Sequence, residues 1–170
     1  MKRAAGKAGP RSRPTLTVLN QQTDQRINIR LLRRIARTLL RKVLGKKDFE
    51  LGICLVSADE ITRLNETFLR HRGPTDVITF DYREESDKAL PCPALHGEIF
   101  ICVEKAIQQA REFRVSWPGE LTRYLVHGVL HLLGFKDLRG ADRQRMKREE
   151  DRLLHELGRE FDLEKLRFDS

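Results

Sequence analysis

Residues Glu120 to Leu133 most constrain how this chain can fold. Leu121, Leu125, Val126, Val129, Leu130, Leu132 and Leu133 are spread around nearly every side of a helix drawn over this segment. A helix that is apolar all round has to be enclosed by other elements. Pro118 suits its first turn and Gly134 is placed to terminate it. No apolar run approaches the ~20 residues that span a bilayer, so the enclosure is expected to be protein, with no membrane partner. Hydrophobic residues make up 39% of 170 positions, which suits one domain with a real core.

The flanking sequence supplies the enclosure. Thr15 to Leu19 reads as a first strand. Asn28 to Leu44 reads as a helix, with Leu32, Ile35, Ala36, Leu39 and Val43 at helical spacing, Asn28 as its cap and Gly45 as its end. Phe49 to Val56 is a strand, and Ser57-Ala-Asp-Glu60 is a capping box opening a helix through Ile61, Leu64 and Phe68. After the Gly73-Pro74 break, Asp76 to Tyr82 is a β-branched and aromatic strand. Glu84 to His96 is polar, holds two prolines and reads as a mobile loop. Glu98 to Val103 is a strand, followed by a helix on Val103, Ala106, Ile107, Ala110 and Phe113. A last helix runs from Ala141 to Leu157. This order predicts an α+β fold: one domain over residues 15–158, with about four strands in a mixed sheet and about five helices around the central one. Residues 1–14 are expected to be a disordered basic tail and 159–170 a C-terminal tail.

On the central helix, His127 and His131 stand four residues apart, so both imidazoles share one face and can point at one ion. Gly134 lets the chain turn back, and Asp137 is placed to supply a third ligand. Three protein ligands and an open position are how catalytic zinc is usually held, whereas structural zinc takes four and favours cysteine, absent from this segment. The spacing therefore predicts one Zn2+ per chain on His127, His131 and Asp137. A lone histidine on an apolar helix is more often a hydrogen-bonded core residue. The pair followed by glycine and a carboxylate is harder to explain that way. The residue after the first histidine is Gly128, where the HExxH metallopeptidases carry their general-base glutamate.

The segment His127-Gly-Val-Leu-His131-Leu-Leu-Gly134-Phe135-Lys136-Asp137 resembles the HGxLHLxGYDH motif of the YbeY-type rRNA maturation endoribonucleases. Leu64-Asn65 through Pro74-Thr75-Asp76-Val77-Ile78-Thr79-Phe80 resembles the same family's LN…R…PTDVLSF block. Gly97-Glu98-Ile99 is similar to its GDI strand, and Met146 and Glu150 fall at family spacings. The resemblance spans residues 15–157. It implies a zinc ion, cleavage of single-stranded RNA with His127 at the reacting centre, and work on the 3′ end of small-subunit rRNA and on ribosome quality. Its partners would be rRNA and the small ribosomal subunit. Two positions depart from the pattern: Asp137 stands where the family has a third histidine, and the family's functional arginine falls, by ungapped counting, on Leu69. Arg70 is the nearest arginine, so either the backbone shifts by one residue and Arg70 takes the catalytic role, or the contact is lost.

Charge agrees with a polyanionic partner. Residues 1–48 hold 14 Lys/Arg against two acids, while the whole chain carries +8. Arg30, Arg33, Arg34, Arg37 and Arg41 form the polar face of the first helix, expected to join Arg70 in a basic groove for RNA phosphates. Cys54, Cys92 and Cys102 show no framework or metal spacing. Their odd number points to a reducing compartment, the cytoplasm. The proton acceptor stays open, with Asp81 and Glu98 each readable as base or as structural carboxylate. Two rival functions remain: a divergent metallopeptidase, and a non-enzymatic, ribosome-associated RNA binder that zinc only stabilises.

Overall fold

The computed structural model describes residues 13–91 and 93–168. Most of the expected basic tail, and Cys92, lie outside them. Four strands and six α-helices alternate in a single α+β domain: β1 (Thr15–Asn20), α1 (Ile29–Thr38, continued by a wider π turn over Leu39–Val43), β2 (Phe49–Val56), α2 (Ala58–Leu64, continued over Asn65–Leu69), β3 (Val77–Asp81), α3 (Glu85–Lys88), β4 (Leu95–Cys102), α4 (Val103–Phe113), α5 (Trp117–Leu132) and α6 (Gly140–Glu160). The sheet order is β1-β2-β4-β3. β1–β2 and β2–β4 are parallel and β3–β4 is antiparallel, so the sheet is mixed as the sequence predicts.

The helix boundaries follow local chemistry. The Asn28 side chain accepts from Leu31 N at 3.1 Å and the Ser57 hydroxyl from Glu60 N at 3.3 Å. At the start of α5, Ser116 accepts from Gly119 N at 3.1 Å, with Pro118 in the first turn. Gly134 ends it at φ +93°, a conformation that side chains avoid.

One sheet face carries Val18, Leu51, Ile53, Leu55, Ile99 and Ile101 into the main core, against Leu32 and Ile35 of α1, Ala106 of α4 and Leu125 and Val129 of α5. On the other face, α2 brings Ile61 onto Cys54, Val56, Ile78 and Cys102. Both described cysteines are free and buried. α5 lies over β3 and β4, whereas α1 packs on β1 at the opposite edge. The arginine face of α1 and the histidine face of α5 therefore belong to different ends of the sheet, and the single groove expected from sequence does not form around α1.

Three expectations change. The polar stretch from Glu84 to His96 is not one loop. It holds α3, tied by Lys88 to Glu85 (2.8 Å) and Asp81 (3.7 Å), and β4 already begins at Leu95, which pairs with Phe49 and is buried. Among the described residues the α-helices number six for the same reason. The segment after residue 158 is not a separate tail: α6 runs to Glu160, and Phe161 and Leu166 are buried. Asn28 N donates to Leu166 O at 2.9 Å, and Ile27 bridges to Arg167.

α5 comes close against the sheet at Gly128. A Cβ there would lie 2.6 Å from Cγ2 of Ile99 and 3.3 Å from Cγ1 of Val77. Ile99 is fully buried in β4, so it has little room to yield. Gly128→Ala is expected to destabilise the fold by about 1–3 kcal/mol, read as a lower denaturation midpoint at unchanged slope. An unchanged midpoint would mean that the helix is not seated as described.

Candidate metal centre

The seating of α5 determines which of its side chains reach solvent. Apart from Gly119 in the first turn, every residue of the helix is buried except Glu120, Arg123, His127 and His131. Their spacing of three, four and four residues makes one polar ridge on an otherwise apolar helix. The ridge faces α6 and the Gly73–Asp76 loop. It borders two grooves of about 420 and 540 Å3, and Glu120, Arg123, His127 and Glu150 line both.

His127, His131 and Asp137 come together as the sequence predicts, with one ligand atom from each lying within 4.8 Å of the other two. The two Nε2 atoms are 2.8 Å apart, and Asp137 Oδ2 is 3.6 Å from His127 Nε2 and 3.5 Å from His131 Nε2. Ligands on a tetrahedral ion at about 2.0–2.1 Å stand roughly 3.3 Å apart, close to this triangle.

The opposite ring atoms explain why the imidazoles converge. His127 Nδ1 is 2.5 Å from Glu150 Oε1 on α6, and His131 Nδ1 is 3.1 Å from the Phe135 carbonyl. Both partners are acceptors, so both Nδ1 atoms carry hydrogen and both Nε2 lone pairs face the same point. Two lone pairs at 2.8 Å repel unless a cation or proton stands between them. The donor set therefore fits a divalent ion, and Glu150 and the Phe135 carbonyl are the outer partners that fix ligand tautomer and angle. The charges around the two imidazoles set up the same tension. Burial opposes charge on His127, but the hydrogen bond and charge of Glu150, with Asp76 and Asp137, outweigh it and raise its pKa. Burial and the charge of His127 together lower that of His131.

Glu150 had been noted only for its spacing, and the structure gives it a position. It is buried and also accepts from Arg123 at 3.2 Å, while Arg123 reaches Asp151 at 2.9 Å. The signal was present in the α6 pattern: Glu150 lies four residues after Met146 and three before Leu153, both buried, so it occupies the apolar face. Glu120, also not predicted, is half-buried beside Arg123, and burial raises the pKa of its carboxyl. The two carboxylates considered from sequence are engaged elsewhere. Asp81 accepts from Arg83 at 2.9 and 2.7 Å, and the same guanidinium caps the Leu132 carbonyl at the end of α5. Glu98 accepts from the Tyr82 hydroxyl at 2.6 Å, on the sheet face away from α5. Arg70 is exposed at φ 55°, at the end of the turn after α2, and lines neither groove. It leads into the loop whose Pro74, Thr75 and Asp76 form one groove wall.

A sequence profile described as Endoribonuclease YbeY matches residues 17–158. The chain belongs to the YbeY endoribonuclease family. A YbeY of Syntrophotalea carbinolica is 35% identical over 144 residues, covering 84% of this chain and 95% of the relative. One from Alkaliphilus metalliredigens is 30% identical over 149 residues, covering 85% and 96%. The solution structure of a Thermotoga maritima protein aligns with a TM-score of 0.61 at 26% identity, over 92% of this chain and 97% of that one. Within this chain, the His127–His131–Asp137 group lies inside the matched region, with aspartate as its third member.

Two measurements test the centre. The purified protein is expected to hold about one zinc per chain by elemental analysis, lost in His131→Ala and in Asp137→Ala; intact zinc in the latter would remove Asp137 from the ligand set. Glu150→Gln is expected to keep the fold but weaken zinc about 10- to 100-fold in chelator competition. Unchanged affinity would leave Glu150 with only a packing role.

Proposed function

We propose that this protein is a zinc-dependent endoribonuclease that cleaves single-stranded RNA, acting on the 3′ end of small-subunit rRNA and in ribosome quality control. The RNA chemistry is supported by the family and by one observation: two imidazole lone pairs and a carboxylate converge on a point that opens to a groove bordered by cations. The rRNA and ribosome assignment rests on the family likeness. Zinc is favoured among divalent ions because the donors are two imidazoles and one carboxylate in a near-tetrahedral triangle. No described helix is long and apolar enough to cross a membrane, and we place the protein with ribosomes in the cytoplasm.

His127, His131 and Asp137 would hold the zinc ion, which would supply Lewis-acid chemistry: polarisation of a phosphoryl oxygen and a lowered pKa for bound water. The chain's own residues do the rest. Glu150 and the Phe135 carbonyl lock both imidazoles, so the centre needs little reorganisation when RNA arrives. Arg123 neutralises the buried Glu150. Arg70 takes a phosphate from the rim, ahead of the Pro74–Asp76 wall. Glu120, which lines both grooves together with His127, is assigned the proton released from the attacking oxygen, and burial keeps its carboxyl basic enough to hold it. The metallopeptidase alternative loses ground on geometry, because position 128 faces Ile99 and Val77 and a glutamate there would point into the core.

Zinc-loaded protein is expected to cleave a single-stranded oligoribonucleotide, and metal-stripped protein and His127→Ala to leave it intact. Fragments ending in a 2′,3′-cyclic phosphate assign the attack to the 2′-hydroxyl; 3′-hydroxyl ends with 5′-phosphates assign it to water. Glu120→Gln is expected to lower kcat by about 10²–10⁴. A carboxyl that accepts a proton must be ionised, so wild-type activity should fall as pH drops through its raised pKa, and the Gln variant should lose that limb. Cleavage by metal-stripped protein would reject the metal-dependent reading.

A further inference from the structure

The larger groove beside the metal centre has a wall that the chemistry above does not use. Phe113 and Val115 stand at the C-terminal end of α4 and are 64% and 53% exposed. Arg114 between them adopts φ 54°, a left-handed turn rare for a residue with a side chain, and Val115 N returns to Ala110 O at 2.9 Å. The turn therefore holds two apolar side chains out at the groove instead of folding them into the core. Opposite them, Arg143 and Lys147 lie four residues apart on one face of α6, both exposed and in none of the ion pairs formed among the described residues. His127 and Asp137 line the same groove.

An exposed aromatic ring, two cations outside any ion pair among the described residues, and the His127 and Asp137 members of the metal triad around one groove match the parts of a nucleotide: base, phosphate and scissile phosphodiester. Resting on the endoribonuclease reading, the geometry points to a nucleobase subsite. Phe113, backed by Val115, stacks an unpaired base next to the scissile phosphate, while Arg143 and Lys147 hold the adjoining backbone phosphate. Any base offers a π face, so this subsite tolerates sequence. It requires a base free to leave its neighbours, which a duplex does not supply. Phe113 thus contributes to single-strand selectivity. Aromatic residues that stack bases are worth a factor of about 5 to 150 in affinity per base.

The test uses the zinc-loaded, full-length protein and a single-stranded oligoribonucleotide carrying 2-aminopurine at successive positions around the cut. Stacking is expected to quench 2-aminopurine fluorescence at one position on mixing with wild type and with Phe113→Trp, but not with Phe113→Ala. On unlabelled RNA, kcat/KM of Phe113→Ala should fall about 5- to 150-fold at unchanged zinc content. With an abasic nucleotide at the quenched position, wild type and Phe113→Ala should become equal. Equal quenching by wild type and Phe113→Ala, or a kcat/KM loss that persists undiminished on the abasic RNA, would overturn the subsite. If the wild-type protein binds this RNA but leaves it uncut, the endoribonuclease reading fails while the quench still decides the stacking. A groove that serves a protein partner would leave all the RNA readouts of Phe113→Ala at wild-type values, which also overturns it.

Discussion

The contact between Gly128 and the side chains of Ile99 and Val77 is the constraint on which the site depends. A helix buried on nearly every side can expose only one ridge, and the tight contact at Gly128 limits how it can rotate on the sheet. With glycine at that point, the ridge of Glu120, Arg123, His127 and His131, about a quarter turn round the helix, is turned toward α6. A larger residue would lift or rotate the helix and spoil the convergence of both imidazoles, since they share its axis. The glycine that replaces a peptidase's catalytic glutamate is thus a packing residue, and acid–base work must come from elsewhere on the ridge.

Electrostatics then prepare the ridge. Glu150 is a buried carboxylate with two cationic neighbours, the His127 imidazole when protonated and Arg123. Such a group is costly to bury alone and tolerable when fully hydrogen-bonded. Its arrangement commits His127 Nδ1 as a donor and so frees Nε2 as a ligand. The Phe135 carbonyl does the same for His131, because Gly134 turns the chain sharply enough to bring Phe135 back under the helix. The glycine that ends α5 therefore orients one histidine and also carries the chain on to Asp137.

Much of this could be read before any coordinates. The α+β class, the four strands, the caps at Asn28, Ser57 and Gly134, and the grouping of His127, His131 and Asp137 follow from local periodicity and spacing, signals carried within a few residues. What was missed depends on distant contacts. Glu150 sits in the charged run Arg148-Glu149-Glu150-Asp151, where only its register with Met146 and Leu153 separates it from solvated neighbours. Leu95 begins a strand two residues after a proline, and its pairing with Phe49 overrides the local loop signal. Phe161 and Leu166 are isolated apolar residues with no period, buried only because α1 and α5 leave space there. The arginine face of α1 was legible as a face, but the sheet order decides that it lies at the opposite edge from the histidines.

The account stands on two histidines and one aspartate sharing a single ion, and X-ray absorption at the zinc edge of the loaded protein reads that shell directly. It predicts two imidazole nitrogens and light oxygen donors at about 2.0–2.2 Å, with no sulfur, and a spectrum in Asp137→His that gains a third imidazole. A shell containing sulfur, or one imidazole contribution in place of two, would contradict it.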